Sequence, residues 1–235
     1  MPANNLPTDI VENELDLLAS LLPLAGQQII ELGCGAARLA RELVRRHAGS
    51  TVTGVEVDAR QHARNLATPQ DGLVFVSGVA QAIPAATASC DLVLMLKSLH
   101  HVPVAAMAAA LAEVARVLRP GGHLYVSEPM FAGPLNEVTR IYNDEQVVRA
   151  AAQAALDTAI AGGAWSEVTQ RKFVVPVHFT DFADYEKRMV HQTFADHRLN
   201  AETLARVRER FEASLGPEGA DFLQPMHVRL LQPVM

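Results

Sequence analysis

Cysteine, aromatic residues and excess positive charge are all scarce in this chain, and each scarcity argues against a class of protein. Only two of the 235 residues are cysteine, Cys34 and Cys90, and neither has the spacing of a zinc site or a redox pair. Aromatic residues make up 5% of the chain and the formal net charge is −6. A nucleic-acid-binding protein usually has a basic face. We therefore expect two reduced, partly buried thiols, no metal and no nucleic-acid partner.

Long apolar runs are also missing. No stretch approaches the ~20 apolar residues of a membrane span. Residues 1–18 lack the basic start and apolar centre of a secretory signal. These observations predict a cytoplasmic protein without a membrane span. Hydrophobic residues nevertheless make up 49% of the chain, which is enough for a sizeable core in one domain.

The segment 27–44, QQIIELGCGAARLARELV, has the pattern of a buried strand, a glycine turn and a helix. Gly33 and Gly35 permit backbone conformations that a Cβ would block. Such a turn places the free N–H groups of the helix at one edge of a sheet, where a polar ligand can bind. Glu31 precedes the turn, and its carboxylate suits an ammonium group or hydroxyls better than phosphates.

Two alternatives stay open for this turn: an ordinary strand-to-helix connection, and the phosphate site of a dinucleotide-binding oxidoreductase. The dinucleotide pattern requires a third glycine, but Ala36, Ala37 and Arg38 follow Gly35. Glu56 ends the next predicted strand, roughly 20 residues after the turn, where α/β nucleotide sites place a ribose-binding carboxylate. The combination of turn and carboxylate favours a ligand that contains adenosine.

Strands and helices alternate through the first half of the chain, which predicts an α/β fold. We expect a Rossmann-like, mostly parallel sheet with helices on both faces and an antiparallel last strand. The predicted helices are 9–22, 59–66 and 104–118, and the predicted strands after the first are 51–55, 73–77, 91–96 and 123–127.

The second half is less regular. It predicts a helix over 136–160 with a break, helices over 182–191 and 201–215, and strands over 172–179 and 222–231. We expect a single domain over 1–235 with an N-terminal helix, a ligand-binding core over 27–129, a helical cap over 129–170 at the C-terminal edge of the sheet, and a final part over 171–235.

Five stretches resemble, in order, motifs of the class I S-adenosylmethionine-dependent methyltransferases. The chain is most similar to the small-molecule group that includes the ubiquinone and menaquinone biosynthesis enzymes. The stretches are ELGCGAAR (31–38), VTGVEVDARQHARNL (52–66), SGVAQAIPAATASCDLVLM (77–95), KSLHHV (97–102) and LAEVARVLRPGGHLYVSEP (111–129). The resemblance implies S-adenosyl-L-methionine as cofactor, S-adenosyl-L-homocysteine as product and a small-molecule acceptor.

The resemblance also implies which residues hold the methionine end of the cofactor. Glu31 and the backbone of Gly33, Cys34 and Gly35 correspond to the family's site for the ammonium and carboxylate groups. Lys97, just past the fourth strand, lies where main-chain groups of the family contact the amino-acid end.

The adenosine end is implied in the same way. Glu56 corresponds to the ribose-binding acid and Val57 to the residue along the adenine ring, while the Ala80 N–H corresponds to the amide that meets adenine. Val79 stands where the family often has an aspartate, and Gln81 is a candidate substitute. Losing that hydrogen bond would cost about 0.5–1.5 kcal/mol, so a weaker site is expected.

Three side chains are candidates for catalysis or the acceptor pocket: His100, His101 and Tyr142. A histidine after the fourth strand lies on the ligand-binding side of an open α/β sheet and is able to accept a proton near neutral pH. The alternative is that one imidazole caps the next helix or packs in the core. Glu128, at the end of the fifth strand, is a further candidate to face the pocket; the alternative is that its side chain points away from it. In-line methyl transfer needs a base only if the acceptor must lose a proton.

The scattered histidines His178, His191 and His197 have irregular spacing, so they do not indicate a metal site. A homodimer through the apolar segment 173–177 is one possibility for the assembly. An alternative to the enzyme is a non-catalytic member of the fold that serves as a cofactor-binding or partner subunit.

Overall fold

The computed structural model describes residues 6–191 and 199–234, which divide into two compact units. The sheet unit comprises Asn13–Glu128, Ala150–Arg171 and His227–Met235. The accessory unit comprises Met1–Glu12, Pro129–Arg149 and Lys172–Met226. The predicted boundaries at 129 and 171 fall close to where the chain passes between the units, although the division into core, cap and final part stays a prediction.

The sheet unit has the predicted alternation of strands and helices through residue 129. Its elements are α1 (Glu14–Leu21), β1 (Gln28–Leu32), α2 (Arg38–Arg46), β2 (Thr51–Glu56), α3 (Ala59–Leu66), β3 (Leu73–Ser77), β4 (Cys90–Leu96), α4 (Met107–Val117) and β5 (Leu118–Pro129). Helix α6 (Gln146–Ala161) and parts of β6 (Trp165–Phe179) and β8 (Gly219–Pro233) complete it.

The strand order is β3-β2-β1-β4-β5-β8-β6. The pairs β1·β2, β2·β3, β1·β4 and β4·β5 are all parallel, whereas the short β7 (Leu215–Gly216) pairs with β8 in the antiparallel direction. The predicted α/β fold with a mostly parallel sheet is confirmed. Strands β1 to β3 are added toward one edge of the sheet and β4 and β5 toward the other, so the strand order reverses between β1 and β4. Open α/β sheets bind ligands at this switch point.

The sheet is covered on both faces, which explains the continuous apolar run in β4. Residues 92–95 of this strand are all buried, as expected for a central parallel strand. One core cluster joins β4 and β5 to α4 and α6, with Val93, Leu124 and Leu156 among its members.

Helix α1 is shorter than predicted, since it begins at Glu14 and not at residue 9. Asn13 is the N-cap, and its side chain accepts a hydrogen bond from the Leu15 amide at 2.9 Å. Residues before it are extended because Ile10 forms a parallel bridge with Val174, in the accessory unit. The cap-like residues Thr8 and Asp9 therefore precede an extended segment.

The accessory unit contains α5 (Pro134–Thr139), α7 (Phe182–Tyr185), a π-helical turn at Glu186–Val190 and α8 (Ala201–Glu212). Its core is aromatic, and the rings of Phe179, Phe182, Tyr185, Phe211 and Phe222 lie within 6 Å of one another in successive pairs. The predicted break in the helix over 136–160 is the segment between α5 and α6. Strand β6 begins at Trp165, earlier than the predicted residue 172.

The part of the chain that the structure describes contains no candidate for a membrane-spanning helix. No helix there combines the length and the apolar composition that a bilayer requires.

Candidate functional site

The glycine turn after β1 is held tightly against the end of β2. The amides of Gly33 and Cys34 both donate to the Val55 carbonyl, at 2.9 and 3.1 Å. Gly33 has a φ of +66°, and a Cβ on it would lie 2.8 Å from the Cβ of Ser98. Any side chain at residue 33 would therefore both strain the backbone and collide with the segment after β4.

Helix α2 starts directly from this turn without a side-chain cap. Ala37 occupies the N-cap position in the left-handed conformation, with a φ of +52°, and no side chain bonds to the first amides of the helix. Uncapped amides at a helix N-terminus are ready donors for a polar or anionic group. Ala37 occupies the position at which the family usually has a third glycine. Its backbone is in a conformation that glycine adopts more readily than alanine.

Glu56, at the end of β2, is 5% exposed and is bonded to the glycine turn. Its Oε2 accepts from the Gly35 amide at 2.7 Å, and its Oε1 accepts from the Asp58 amide at 2.8 Å. Each carboxylate oxygen keeps a further lone pair, so two hydroxyl groups can still be bound. The neighbouring Val57 is 66% exposed, so a planar apolar ring could pack against its side chain.

Glu31, near the end of β1, is 3% exposed. Burial, together with the charges of Glu14 and Glu56, raises the pKa of its carboxyl to about 8. Among the described residues, its Oε2 has no hydrogen-bond partner. A buried carboxyl with an unused oxygen suits a ligand that carries positive charge.

The thiol of Cys34 lies in the turn and is not a nucleophile. Both cysteines are free and buried. Burial raises the pKa of the Cys34 thiol far above its ordinary range and that of Cys90 to about 12. The two thiols are unpaired, as predicted, and more fully buried than the partial burial that was expected.

The loop after β3 forms a tight turn at the predicted adenine contacts. The Ala82 amide donates to the Val79 carbonyl at 3.2 Å, which places Ala80 and Gln81 at the tip of the turn. All three residues from 79 to 81 are half-buried. The roles implied for them remain predictions.

The segment after β4 begins with a strained residue. Lys97 has a φ of +54°, and its amide donates to the Ser127 carbonyl at 2.7 Å. The hydroxyls of Ser98 and Ser127 are buried and have no hydrogen-bond partner within residues 6–191 and 199–234. Gly33 and Lys97 thus follow β1 and β4, the two strands at the switch point.

The two adjacent histidines have different environments. His100 is 4% exposed, and its Nδ1 is hydrogen-bonded to Oε2 of Glu128, whose Oε1 accepts from the Leu99 amide at 2.8 Å. His101 is exposed, with its ring centroid 4.1 Å from that of His100. Glu128 is therefore directed at His100, which it holds in one orientation.

Tyr142 belongs to the accessory unit and lies in the turn after α5, not inside a helix as predicted. Its hydroxyl donates to the Met189 carbonyl at 3.2 Å and accepts from the Tyr185 hydroxyl at 3.3 Å. Burial raises the pKa of Tyr142 to about 12. The side chain is therefore protonated at neutral pH, which makes it a poor base.

The scattered histidines pair with carboxylates. His178 lies 2.8 Å from Asp221, and His191 lies 3.4 Å from Glu186. His197 falls outside the described residues.

Two residues near the turn were not anticipated from the sequence. Glu14 of α1 lies close enough to Glu31 to raise its pKa, and its Oε1 accepts from the Tyr125 hydroxyl at 3.1 Å. Asn65 of α3 donates to the Gly35 carbonyl at 2.7 Å. No sequence pattern points to Glu14 as a residue near the turn. Asn65 could have been singled out, because asparagine is an unfavourable residue inside a helix.

Part of the chain is similar to known methyltransferases. A model described as a methyltransferase domain matches residues 30–126. A 27-O-demethylrifamycin SV methyltransferase of Amycolatopsis mediterranei is 35% identical over 119 residues, covering 48% of this chain and 43% of the relative. A ubiquinone biosynthesis O-methyltransferase of Paracidovorax citrulli is 34% identical over 121 residues, covering 48% of each chain. The chain spans about half the length of these relatives.

A solved structure matches over more of the chain. The YcgJ protein of Bacillus subtilis is 17% identical, with a TM-score of 0.65, and the match covers 94% of this chain and 98% of that one. At this identity the likeness shows the fold, which agrees with the strand order above. Over residues 30–126 the predicted resemblance to the class I S-adenosylmethionine-dependent methyltransferases is confirmed.

Proposed function

We propose that this protein transfers a methyl group from S-adenosylmethionine to a hydroxyl group of a small molecule. The observation that carries the proposal is the direct bond between the ribose-type carboxylate and the glycine turn, from Gly35 to Glu56, at the switch point of the sheet. A dinucleotide site also has a carboxylate at the position of Glu56, but the second buried carboxyl, Glu31, is unfavourable beside a phosphate. Glu31 and Glu56 suit the ammonium and hydroxyl groups of the methyl donor.

The residues fit this cofactor end to end. Glu31 with its unused oxygen is assigned to the ammonium group, Glu56 to the ribose hydroxyls and Val57 to one face of the adenine. The backbone of residues 33–35 is assigned to the methionine end. When bound, the cofactor supplies a methyl group on a positively charged sulfur, which is already a good leaving group.

The protein's own contribution is mainly alignment. Holding an acceptor oxygen in line with a fixed donor converts a bimolecular reaction into an effectively intramolecular one. The glycine turn and Lys97 provide rigid backbone at the ends of β1 and β4.

His100 is assigned as the group that accepts a proton from the acceptor hydroxyl. Glu128 bonds its Nδ1, which fixes the ring and stabilises the charged imidazolium that proton transfer would form. His101 stays a candidate for the same role because it is adjacent and exposed. Tyr142 belongs to the accessory unit, and burial raises its pKa to about 12, so it is not assigned to proton transfer.

The acceptor class rests on the relatives. Both are named as enzymes that methylate oxygen, one in rifamycin chemistry and one in ubiquinone biosynthesis. A small molecule with a phenolic or alcoholic hydroxyl is therefore the first acceptor class to test.

The test incubates the protein with methyl-labelled S-adenosylmethionine and a panel of catechols, phenols and macrocyclic alcohols. We expect label in an extractable product, together with S-adenosylhomocysteine. A His100→Gln variant is expected to bind S-adenosylhomocysteine normally and to turn over about 10²–10⁴-fold more slowly, as for the loss of a general base. Binding without turnover of any acceptor would instead favour the non-catalytic subunit, and stabilisation by NAD alone would favour the oxidoreductase.

A further inference from the structure

Asn65 is the one buried residue of helix α3, and it is polar. Its side chain is 2% exposed. Asparagine is a weak helix former because its amide competes for backbone hydrogen bonds. Burying it also carries a penalty unless its amide is satisfied. Its place in the helix is therefore explained by what the amide contacts.

The amide of Asn65 links α3 to the glycine turn. Its Nδ2 donates to the Gly35 carbonyl at 2.7 Å and lies 3.8 Å from the sulfur of Cys34. Its Oδ1 accepts from Nε2 of Gln61 at 2.9 Å, one helical turn earlier on the same face. Gln61 thereby fixes which end of the Asn65 amide faces the turn.

Gly35 is held through both of its backbone polar groups. Its carbonyl bonds to Asn65, and its amide bonds to Oε2 of Glu56. Glycine has the largest conformational freedom to lose, and Gly35 has a φ of +52°. Two side-chain bonds on one glycine are a direct means of keeping the turn in a single conformation.

We propose that Asn65, oriented by Gln61, is a positioning residue that preorganises the glycine turn and thereby sets the affinity for the cofactor without touching it. This inference rests on the proposed function. Preorganisation raises affinity because the free protein has less conformational entropy to lose on binding. Asn65 also couples the turn to the carboxylate of Glu56, so loosening one displaces the other.

Three variants test the proposal. Asn65→Leu removes both hydrogen bonds at similar volume. Asn65→Asp keeps the acceptor for Gln61 but replaces the donor to Gly35 with a carboxylate. Gln61→Leu, at a half-buried position, leaves Asn65 in place and removes its orientation, which guards against a variant that fails to fold.

Ser50→Ala is the matched control. Ser50 is also a buried polar residue of the sheet unit, and its hydroxyl donates to the Leu24 carbonyl, which precedes β1, whereas the turn follows that strand. Its loss is expected to lower the unfolding temperature as the Asn65 variants do, because each removes a side-chain hydrogen bond to a backbone carbonyl.

The readouts are amide hydrogen exchange over residues 33–38 of the ligand-free protein and calorimetric binding of S-adenosylhomocysteine. We expect faster exchange in both Asn65 variants. Their dissociation constants should rise about tenfold, and that of Gln61→Leu about threefold, as expected for the loss of one hydrogen bond or of its orientation. In turnover, KM for the methyl donor should rise while kcat stays near the wild-type value. Ser50→Ala should change neither exchange nor affinity.

Unchanged exchange and unchanged affinity in Asn65→Leu, with only a lower unfolding temperature, would overturn the proposal and leave Asn65 a purely structural residue. If the wild-type protein failed to bind S-adenosylhomocysteine, the proposed function would fail. The exchange measurement would still decide whether Asn65 holds the turn.

Discussion

The two units of this protein bury different kinds of side chain. Among the described residues, nine of the ten buried polar or charged side chains belong to the sheet unit. Several of them lie beside the glycine turn or after β4. The accessory unit instead has an aromatic core around Phe179 and Phe211. Burying polar groups is unfavourable unless they are bonded. The sheet unit thus buries polar groups where a charged ligand is expected, whereas the accessory unit is packed mainly with apolar and aromatic side chains.

The largest effect is predicted in the accessory unit. Phe211 is fully buried and touches four other rings. Phe211→Ala should lower the free energy of unfolding of this unit by about 3–5 kcal/mol, measured by urea unfolding. Phe131→Ala, a half-buried ring with Arg140 above it, is the control and should lower it far less. Equal losses in the two variants would contradict the aromatic core.

The second prediction concerns pH in the sheet unit. Burial raises the pKa of Glu31 to about 8, above the value near 4.3 of an unfolded chain. The folded state therefore binds the proton more tightly, and stability falls as pH rises between these two values. Relative to Glu31→Gln, the wild-type protein should lose about 2 kcal/mol between pH 6 and pH 8. Parallel stability curves for the two proteins would show that Glu31 does not titrate in this range.

The third prediction addresses the missing third glycine. Ala37 has a φ of +52°, and a left-handed conformation costs a residue with a Cβ roughly 1–2 kcal/mol. Glycine relieves this strain but adds entropy to the unfolded chain. Ala37→Gly should therefore raise stability by up to about 1 kcal/mol, read from thermal unfolding. Ala40→Gly, inside α2, is the control and should destabilise. A destabilised Ala37→Gly would mean that the strain is absent.

A similarly small effect is predicted for the hydroxyl pair of the accessory unit. Tyr185→Phe removes the bond to the Tyr142 hydroxyl and should lower stability by about 0.5–1.5 kcal/mol. Binding of S-adenosylhomocysteine should be unchanged, since the cofactor residues assigned above lie in the sheet unit. A large loss of binding in this variant would break the contrast between the units.

Much of the sheet unit was predictable because its signals are local. Buried parallel strands are short apolar runs, so β2 to β4 were placed within a residue of their observed ends. The glycine turn and Glu56 were also visible, since both sit at fixed places in a strand-turn-helix pattern.

The remainder depends on contacts between distant residues. Helix α1 starts late because Ile10 pairs with Val174, which no local pattern reveals. His100 and Glu128 are 28 positions apart, and Asn65 and Gly35 are 30 apart. Each pair exists only because the sheet brings strand ends together, so spacing along the chain does not predict it.

The central claim is that Glu56 and the glycine turn form a cofactor site. Calorimetry with S-adenosylhomocysteine tests it most directly, on the wild-type protein, Glu56→Gln and Asp91→Asn. Asp91 is the control because its carboxylate also accepts from a backbone amide, that of Gln28 at 2.8 Å, but it lies near the start of its strand and not at the end. We expect wild-type affinity in Asp91→Asn and about a hundredfold loss in Glu56→Gln, as for two weakened charged hydrogen bonds. Equal affinity in all three proteins would contradict the account.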